Sequence, residues 1–153
     1  MRMTCSTLKS NHTYLVELRF FGDTLNPAEV SSILGLQPSI YSSHEEPLLG
    51  RKRQPFWGYN GSEHADFQAE WLSLEDGLAF VARTLAPVRS EIVQLSKRFD
   101  GLWWCGHFQS SFDGGPTLSP DILADISSFG CSFYLDNYYS DQDGSLQASN
   151  SGA

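Results

Sequence analysis

The stretch TYLVELRFFGDTLNPAEVSSILGLQPSIYS, residues 13–42, holds the pattern of a strand, a helix and a second strand in close succession. Its first nine residues alternate two sets of side chains, which is the period of two expected for a half-buried strand. The set expected to face the core is Tyr14, Val16, Leu18 and Phe20, and the outward set is Leu15, Glu17, Arg19 and Phe21. The stretch therefore predicts a strand with one side against a core.

A helix is predicted to begin directly after this strand. Asn26 can cap it, Pro27 fits the first helical position, and Glu29 can reach back as in a capping box. Gly35 would end the helix, and a short strand should follow over residues 38–42. The expected apolar stripe of this helix consists of Val30, Ile33 and Leu34.

The middle of the chain contains a long loop and then a helical segment. Residues 43–72 mix turn residues with the strand-like FWGY, so we expect a loop followed by one or two antiparallel strands. Ser73 should cap the helical segment, and Pro87 should interrupt it. Its apolar residues at helical spacing are Leu74, Leu78, Val81, Leu85, Val88, Ile92, Leu95 and Phe99.

The strand-helix-strand pattern then recurs, with GLWWCGHFQSS at residues 101–111 and LSPDILADISSFGCSFYLD at residues 118–136. In both copies a capping residue precedes a proline, and a glycine, Gly35 or Gly130, closes the helix. We therefore predict an α+β fold, a two-layer sandwich in which two pseudo-repeated β-α-β units share one sheet and the helices lie on one face. Residues 1–139 would form a single domain, and residues 140–153 a flexible polar tail.

Composition narrows the classes of function. The formal net charge of −8, from 18 acidic and 10 basic residues, disfavours nucleic-acid binding and favours a basic partner. With no leader or membrane segment in the sequence, we expect a cytoplasmic protein without a membrane partner. Three unpaired cysteines and scattered histidines predict no disulfide framework, no metal site and no cofactor.

Cys105 and His107 are the strongest candidates for a catalytic pair. On a strand, a spacing of two places both side chains on one face, but their Cβ atoms are then about 7 Å apart and the side chains are parallel. This geometry is poor for proton transfer, so no catalytic residue is assigned. If Phe20 is aligned with Phe108, then Leu102, Trp104, Gly106 and Phe108 should face the helices, and Trp103, Cys105 and His107 should face outward.

The leading hypothesis is a non-enzymatic protein-binding module, and more specifically an immunity-type inhibitor of a basic toxin. Tyrosines provide contact area and carboxylates steer a basic partner. The candidate partner-binding residues are Glu45, Glu46, Asp136, Tyr138, Tyr139, Asp141 and Asp143.

Two other hypotheses remain open. One is a small-molecule-binding protein or enzyme that uses an open sheet face or a cleft between the sheet and residues 43–72. The residues for this alternative are Arg19, Arg51, Arg53, Trp57, Tyr59, Trp103 and His107. The other is a homo-oligomer in which the open sheet face pairs with its own copy.

The order of these motifs resembles a bacterial family, the domain of unknown function 4279. The features that match it are YLVELRFFG, LNPAEVSSILGL with Pro38 after it, Trp57 behind a basic loop, LEDGLAFVARTL and LSPDILADISSFGCSFYLDNYY. The resemblance covers roughly residues 13–139 and implies a compact intracellular α+β domain. It carries over no catalytic residue.

Overall fold

A computed structural model describes residues 11–43, 47–48, 51–52, 54–140 and 146–148 of the chain. The strands are β1 (His12–Phe21), β2 (Ile40–Ser42), β3 (Pro47–Leu48), β4 (Arg51–Lys52), β5 (Phe56–Tyr59), β6 (Asp100–Gln109), β7 (Ser132–Ser140) and β8 (Leu146–Ala148). The helices are α1 (Pro27–Leu34), α2 (Leu74–Leu85), α3 (Arg89–Arg98) and α4 (Pro120–Ser127), with a 3₁₀ turn at Ala86–Val88 between α2 and α3.

Six strands form one mixed sheet in the order β2-β5-β1-β6-β7-β8, and β3 and β4 form a separate hairpin. β1 pairs along its whole length with β6 in antiparallel orientation, and β6 pairs with β7 in parallel. α4 therefore connects two adjacent parallel strands. β2 and β1 are each antiparallel to β5, so they are parallel to each other with β5 between them. The two units thus differ in layout, and their origin as a repeat remains a prediction.

α1 and α2 begin where the sequence predicts, because the local capping chemistry is present, and α1 ends at Gly35 as predicted, whereas α4 ends at Ser127, before Gly130. The Asn26 side chain accepts a hydrogen bond from the Ala28 amide, and Gly35 has a φ of 64°, the left-handed conformation that glycine adopts readily. Ser73 caps α2 by accepting from the Asp76 amide at 3.2 Å. The apolar stripe of α1 differs from the prediction, since Val30 and Leu34 are buried but Ile33 is 39% exposed.

All four helices cover one face of the sheet, which confirms the predicted two-layer α+β architecture. The Trp57 indole on β5 donates to Ser31 Oγ of α1 at 3.0 Å, and the Trp103 indole on β6 donates to the Ile126 carbonyl of α4 at 3.1 Å. The fully buried centre of this core includes Leu18, Phe20, Val30, Trp57, Tyr59, Leu78, Leu85, Ile92, Leu95, Trp103 and Phe129.

The C-terminal stretch that was predicted to be a polar tail contains the strand β8. Residues 141–145 and 149–153 of this stretch lie outside the described part of the chain. Among the described residues, no helix is both long and apolar enough to cross a membrane.

Candidate functional site

The sheet has a second face, opposite the helices, on which strand register collects aromatic and charged side chains. Residues that pair across strands point to the same side, so the register defines this surface. We refer to it as the open face; its side chains include Glu17, Arg19, Phe21, Phe56, Trp104, Phe108, Tyr134, Asp136 and Tyr138. None of these side chains belongs to the hydrophobic cluster between the sheet and the helices, although Trp104 is buried and all the others except Tyr134 are partly buried.

Arg19 lies at the centre of the open face and is held by three neighbours. Its guanidinium carbon is 4.1 Å from the centroid of the Trp104 ring and 6.0 Å from that of Phe56. Its Nε donates to Glu17 Oε2 at 2.7 Å. Stacking on aromatic rings and pairing with a carboxylate both favour a cation, so the position of Arg19 is fixed and its charge is balanced.

Asp136 organises the neighbouring part of the open face. The Trp104 indole donates to Asp136 Oδ2 at 3.3 Å, and the Tyr138 hydroxyl donates to the same oxygen at 2.5 Å. This hydrogen bond, with a smaller effect of burial, raises the pKa of Tyr138 to about 12. The Tyr138 ring also stacks on Phe108, with 4.9 Å between centroids. The carboxylate is therefore set in a frame of aromatic rings.

The Trp104 indole reaches Asp136 because Gly106 leaves room for it. A Cβ atom at position 106 would lie 2.8 Å from Trp104 Cη2 and 3.1 Å from Phe108 Cε2. The indole thus lies across a position without a side chain, between β6 and β7. Only 9% of Trp104 is exposed, although it lies outside the core.

The predicted partner-binding residues are distributed as follows. Asp136 and Tyr138 lie together on the open face. Tyr139 points to the opposite side, where its ring stacks on Phe112 at 4.5 Å. The remaining predicted residues, Glu45, Glu46, Asp141 and Asp143, lie outside the described part of the chain.

The face predicted for β6 is wrong. Leu18 pairs with Trp103, Val16 with Cys105 and Tyr14 with His107, so the second member of each pair points toward the helices. Bulky residues occupy both alternating sets of β6, and for this reason the period of two could not identify the buried set. The alignment of Phe20 with Phe108 as equivalent positions is wrong for the same reason, because Phe20 is buried against the helices and Phe108 lies on the open face.

Most of the residues predicted to line a small-molecule site are therefore buried in the protein interior. Trp57, Tyr59 and Trp103 are fully buried, and His107 is 4% exposed. Among the members whose side chains the structure describes, Arg19 lies on the open face. The side chain of Arg51 and the whole of Arg53 lie outside the described part of the chain.

The cavity at the edge of β1 is small. It has a volume of about 50 Å³, room for very few water molecules. Five of its lining residues come from the segment 43–72, but none of the lining residues is among those named for the cleft; the lining is Leu15, Val16, Glu17, Asn60, Phe67, Gln68, Ala69 and Trp71. Ligand pockets are typically several times larger, so this cavity gives no support to the alternative site.

Cys105 and His107 share one face, as expected, but they do not form a reactive pair. Burial raises the pKa of the Cys105 thiol far above its ordinary range. The two ring nitrogens of His107 lie 2.8 Å from His12 Nδ1 and 2.7 Å from Asn137 Oδ1. The thiol is thus neutral, and the imidazole is engaged elsewhere.

Sequence reasoning missed Phe56, Trp104, Phe108 and Tyr134 as open-face residues. One signal could have identified the correct side of β6. Free cysteine is among the residue types most often buried, so Cys105 indicates that its own set faces the core. Gly106 belongs to the other alternating set of β6, and because it has no side chain, a large ring from the same face can pack over it.

Comparison with known proteins gives one result. A family model described as Domain of unknown function (DUF4279) matches residues 11–140, which include every strand from β1 to β7 and all four helices. No curated protein and no solved structure matches the chain. The match spans most of the 153 residues, and the chain therefore belongs to the family Domain of unknown function (DUF4279).

Proposed function

We propose that this chain is a non-enzymatic module that binds a basic protein through the open face. The observation that carries the proposal is the Asp136 carboxylate, framed by Trp104 and Tyr138 on a sheet surface opposite the helices. Tyrosine and tryptophan provide large contact areas at little entropic cost, and both are enriched at protein interfaces. A carboxylate within such a surface selects a cationic side chain.

The hydrogen bonds of Asp136 support this assignment. Both described hydrogen bonds go to Oδ2, so Oδ1 can accept from a partner's lysine or arginine. Arg19 already shows how a guanidinium fits this surface, since it stacks on Trp104 while paired with Glu17. A second guanidinium from a partner would find the same combination of rings and carboxylate at Asp136, Phe108 and Tyr138.

Net charge supports a basic partner as well. A formal charge of −8 attracts a cationic protein over long range and accelerates its association. The specific form that we propose is an immunity-type inhibitor, which would block a basic toxin by covering its active site. This step rests on the charge and on the hydrogen bonds from Trp104 and Tyr138 that hold Asp136 in place.

A pair of charge-matched variants tests the proposal. Asp136→Asn removes the carboxylate from the open face, and Asp121→Asn removes one from the exposed start of α4 in the helix layer. Each variant and the wild type would be used to capture proteins from native lysate at low salt, followed by affinity measurement with the purified partner. We expect Asp136→Asn to weaken binding about tenfold or more and Asp121→Asn to have little effect.

Two outcomes would contradict the proposal. Equal weakening by both variants would mean that net charge, and not the open face, determines binding. Self-association detected by ultracentrifugation and abolished by Asp136→Asn would instead favour a homo-oligomer formed through the open face.

A further inference from the structure

Arg19 of β1 lies beside a position of β5 that has no side chain. Arg19 pairs with Gly58, and a Cβ atom at position 58 would lie 3.4 Å from Arg19 Cγ and 2.8 Å from Ile40 Cγ2. The aliphatic parts of Arg19 and Ile40 therefore fill the space above Gly58. This packing holds the stem of the arginine against the sheet.

The guanidinium of Arg19 is held at one edge and on its flat side. Its Nε donates to Glu17 Oε2 at 2.7 Å, and 19% of the arginine side chain is exposed. Its carbon lies 4.1 Å from the centroid of the Trp104 ring and 6.0 Å from that of Phe56. The direction of the guanidinium is therefore set before any partner binds, which lowers the entropic cost of binding.

Most hydrogen-bond donors of Arg19 are unused. A guanidinium has five N–H groups, and Glu17 accepts from the one on Nε. The four N–H groups on Nη1 and Nη2 have no acceptor among the residues that the structure describes. Neither nitrogen is cut off from solvent, since the fully buried side-chain nitrogens and oxygens without a partner, within the same residues, comprise Arg89 Nε alone. The end of the guanidinium thus presents an accessible fork of donors.

The chemistry of this fork selects a carboxylate. Two parallel N–H groups at the end of a guanidinium match the two oxygens of a carboxylate. The rings of Trp104 and Phe56 and the side chain of Ile40, which is 41% exposed, add apolar contact around it. A phosphate carries more negative charge, and the formal net charge of −8 acts against it more strongly.

The fork lies next to the carboxylate of Asp136 because both groups use the same ring. The guanidinium carbon of Arg19 lies 4.1 Å from the Trp104 ring centroid, and the nitrogen of this indole donates to Asp136 Oδ2 at 3.3 Å. The open face therefore presents a fork of donors and a carboxylate oxygen on two sides of one indole.

We propose that Nη1 and Nη2 of Arg19 bind a carboxylate of the partner protein, beside the cationic side chain that binds Asp136. This inference rests on the proposed function. Glu17 already balances the charge of Arg19, so a carboxylate alone adds negative charge to an acidic protein. A partner that also brings a cation to Asp136 supplies the compensating charge. The open face thus selects an acidic group next to a basic group, and not every basic surface.

Benzoate and benzamide are a matched pair of probes for Arg19, because they share one ring and differ in negative charge. Each would be titrated into the wild-type protein at constant ionic strength, and NMR would follow the Nε–H signal of Arg19 and the indole N–H signal of Trp104. We expect benzoate to shift both signals to saturation, with half-saturation at about 1–10 mM. Benzamide should bind about tenfold more weakly or less.

Two variants test whether the fork is the binding group. Arg19→Lys keeps the positive charge but removes the fork, so benzoate binding, followed at Trp104, should weaken about fivefold or more. Arg83→Gln is the control, because Arg83 is an exposed arginine whose guanidinium carbon also lies near a ring, 5.9 Å from the Phe80 centroid. This control should leave benzoate binding at Trp104 unchanged.

Methylguanidinium, as a probe of Asp136, separates this inference from the proposed function. It should shift the Trp104 indole signal in the wild-type protein and have no such effect in Asp136→Asn. Methylguanidinium binding without a response to benzoate would keep the proposed function and overturn the carboxylate site. A response to benzoate without methylguanidinium binding would support the carboxylate site and contradict the cationic contact at Asp136.

Equal affinities for benzoate and benzamide would also overturn the proposal, because ring stacking alone would then explain binding. The proposal fails as well if Arg19→Lys binds benzoate as tightly as the wild-type protein does, because a single positive charge would then suffice. Far-ultraviolet circular dichroism checks that each variant is folded. The comparison of benzoate with benzamide needs no substitution, so it decides the question even should Arg19→Lys not fold.

Discussion

Asp136 accepts hydrogen bonds from Trp104 and Tyr138 through one oxygen, and Tyr138 therefore reports on the open face. Asp136→Asn replaces the carboxylate with a neutral amide, which removes the main cause of the high pKa of Tyr138. We expect this pKa to fall from about 12 toward the ordinary value of about 10. A tyrosine-ring NMR titration measures it, and Tyr138→Phe identifies the signal. An unchanged pKa would show that burial, and not the hydrogen bond, is the cause.

Gly106 allows a second test at the scale of one residue. Gly106→Ala places a Cβ atom 2.8 Å from Trp104 Cη2, so the indole must shift away from Asp136 and Arg19. Overpacking of this kind costs about 1–3 kcal/mol of the free energy of unfolding. We also expect weaker partner binding and altered tryptophan fluorescence.

The matched control for this substitution is Gly115→Ala. A Cβ atom at position 115 meets nothing within 4 Å, and this glycine has no positive φ. Its free energy of unfolding should change by less than about 0.5 kcal/mol. Equal effects of the two substitutions in urea denaturation would contradict the role assigned to Gly106.

At the scale of elements, α2 depends on its cap. Ser73→Ala leaves the Asp76 amide without its acceptor and should lower the free energy of unfolding by about 1 kcal/mol. Ser90→Ala, in the first turn of α3, removes only an exposed contact with Glu91 and should have little effect. Urea denaturation measures both changes, and equal midpoints for Ser73→Ala and the wild type would refute the capping role.

The elements also show which parts of the fold could be predicted from the sequence. β1 alternates large apolar and partly polar residues, so the residues of its buried face, Tyr14, Val16, Leu18 and Phe20, were correctly identified. A capping side chain binds an amide only two or three residues away, so the starts of α1 and α2 could be predicted from Asn26 and Ser73. The face of β6 could not be obtained in this way, because its orientation depends on pairing with β1, far away in sequence.

The same reason limits prediction of the open face. Arg19, Asp136 and Tyr138 were candidates, but in separate groups, because no local pattern indicates that β1 and β7 are both neighbours of β6. The position of β5 between β1 and β2 likewise depends on pairing between strands that are far apart in sequence. Trp104 was assigned to the core because the alignment of Phe108 with Phe20 placed it in the helix-facing set, whereas the space over Gly106 holds it on the open face.

At the scale of the whole molecule, charge and packing are linked at His107, whose ring lies beside those of Tyr14 and His12. Native packing lowers the pKa of His107, chiefly by burial, whereas the unfolded chain has the ordinary histidine value of about 6.5. Below this pH the unfolded state binds a proton that the native state resists. The contribution to stability is therefore complete at neutral pH and is lost as the pH falls below about 6.5.

We expect the free energy of unfolding to decrease from about pH 7 to about pH 5, and the share that comes from one proton cannot exceed about 1.4 kcal/mol per pH unit. Carboxylates titrate mostly below this window, so the slope within it reports on histidines. His107→Gln should flatten the slope. Urea denaturation at a series of pH values measures both slopes. A wild-type slope equal to that of His107→Gln would mean that the native state accommodates a charged His107, and that the neighbouring rings of Tyr14 and His12 tolerate this charge.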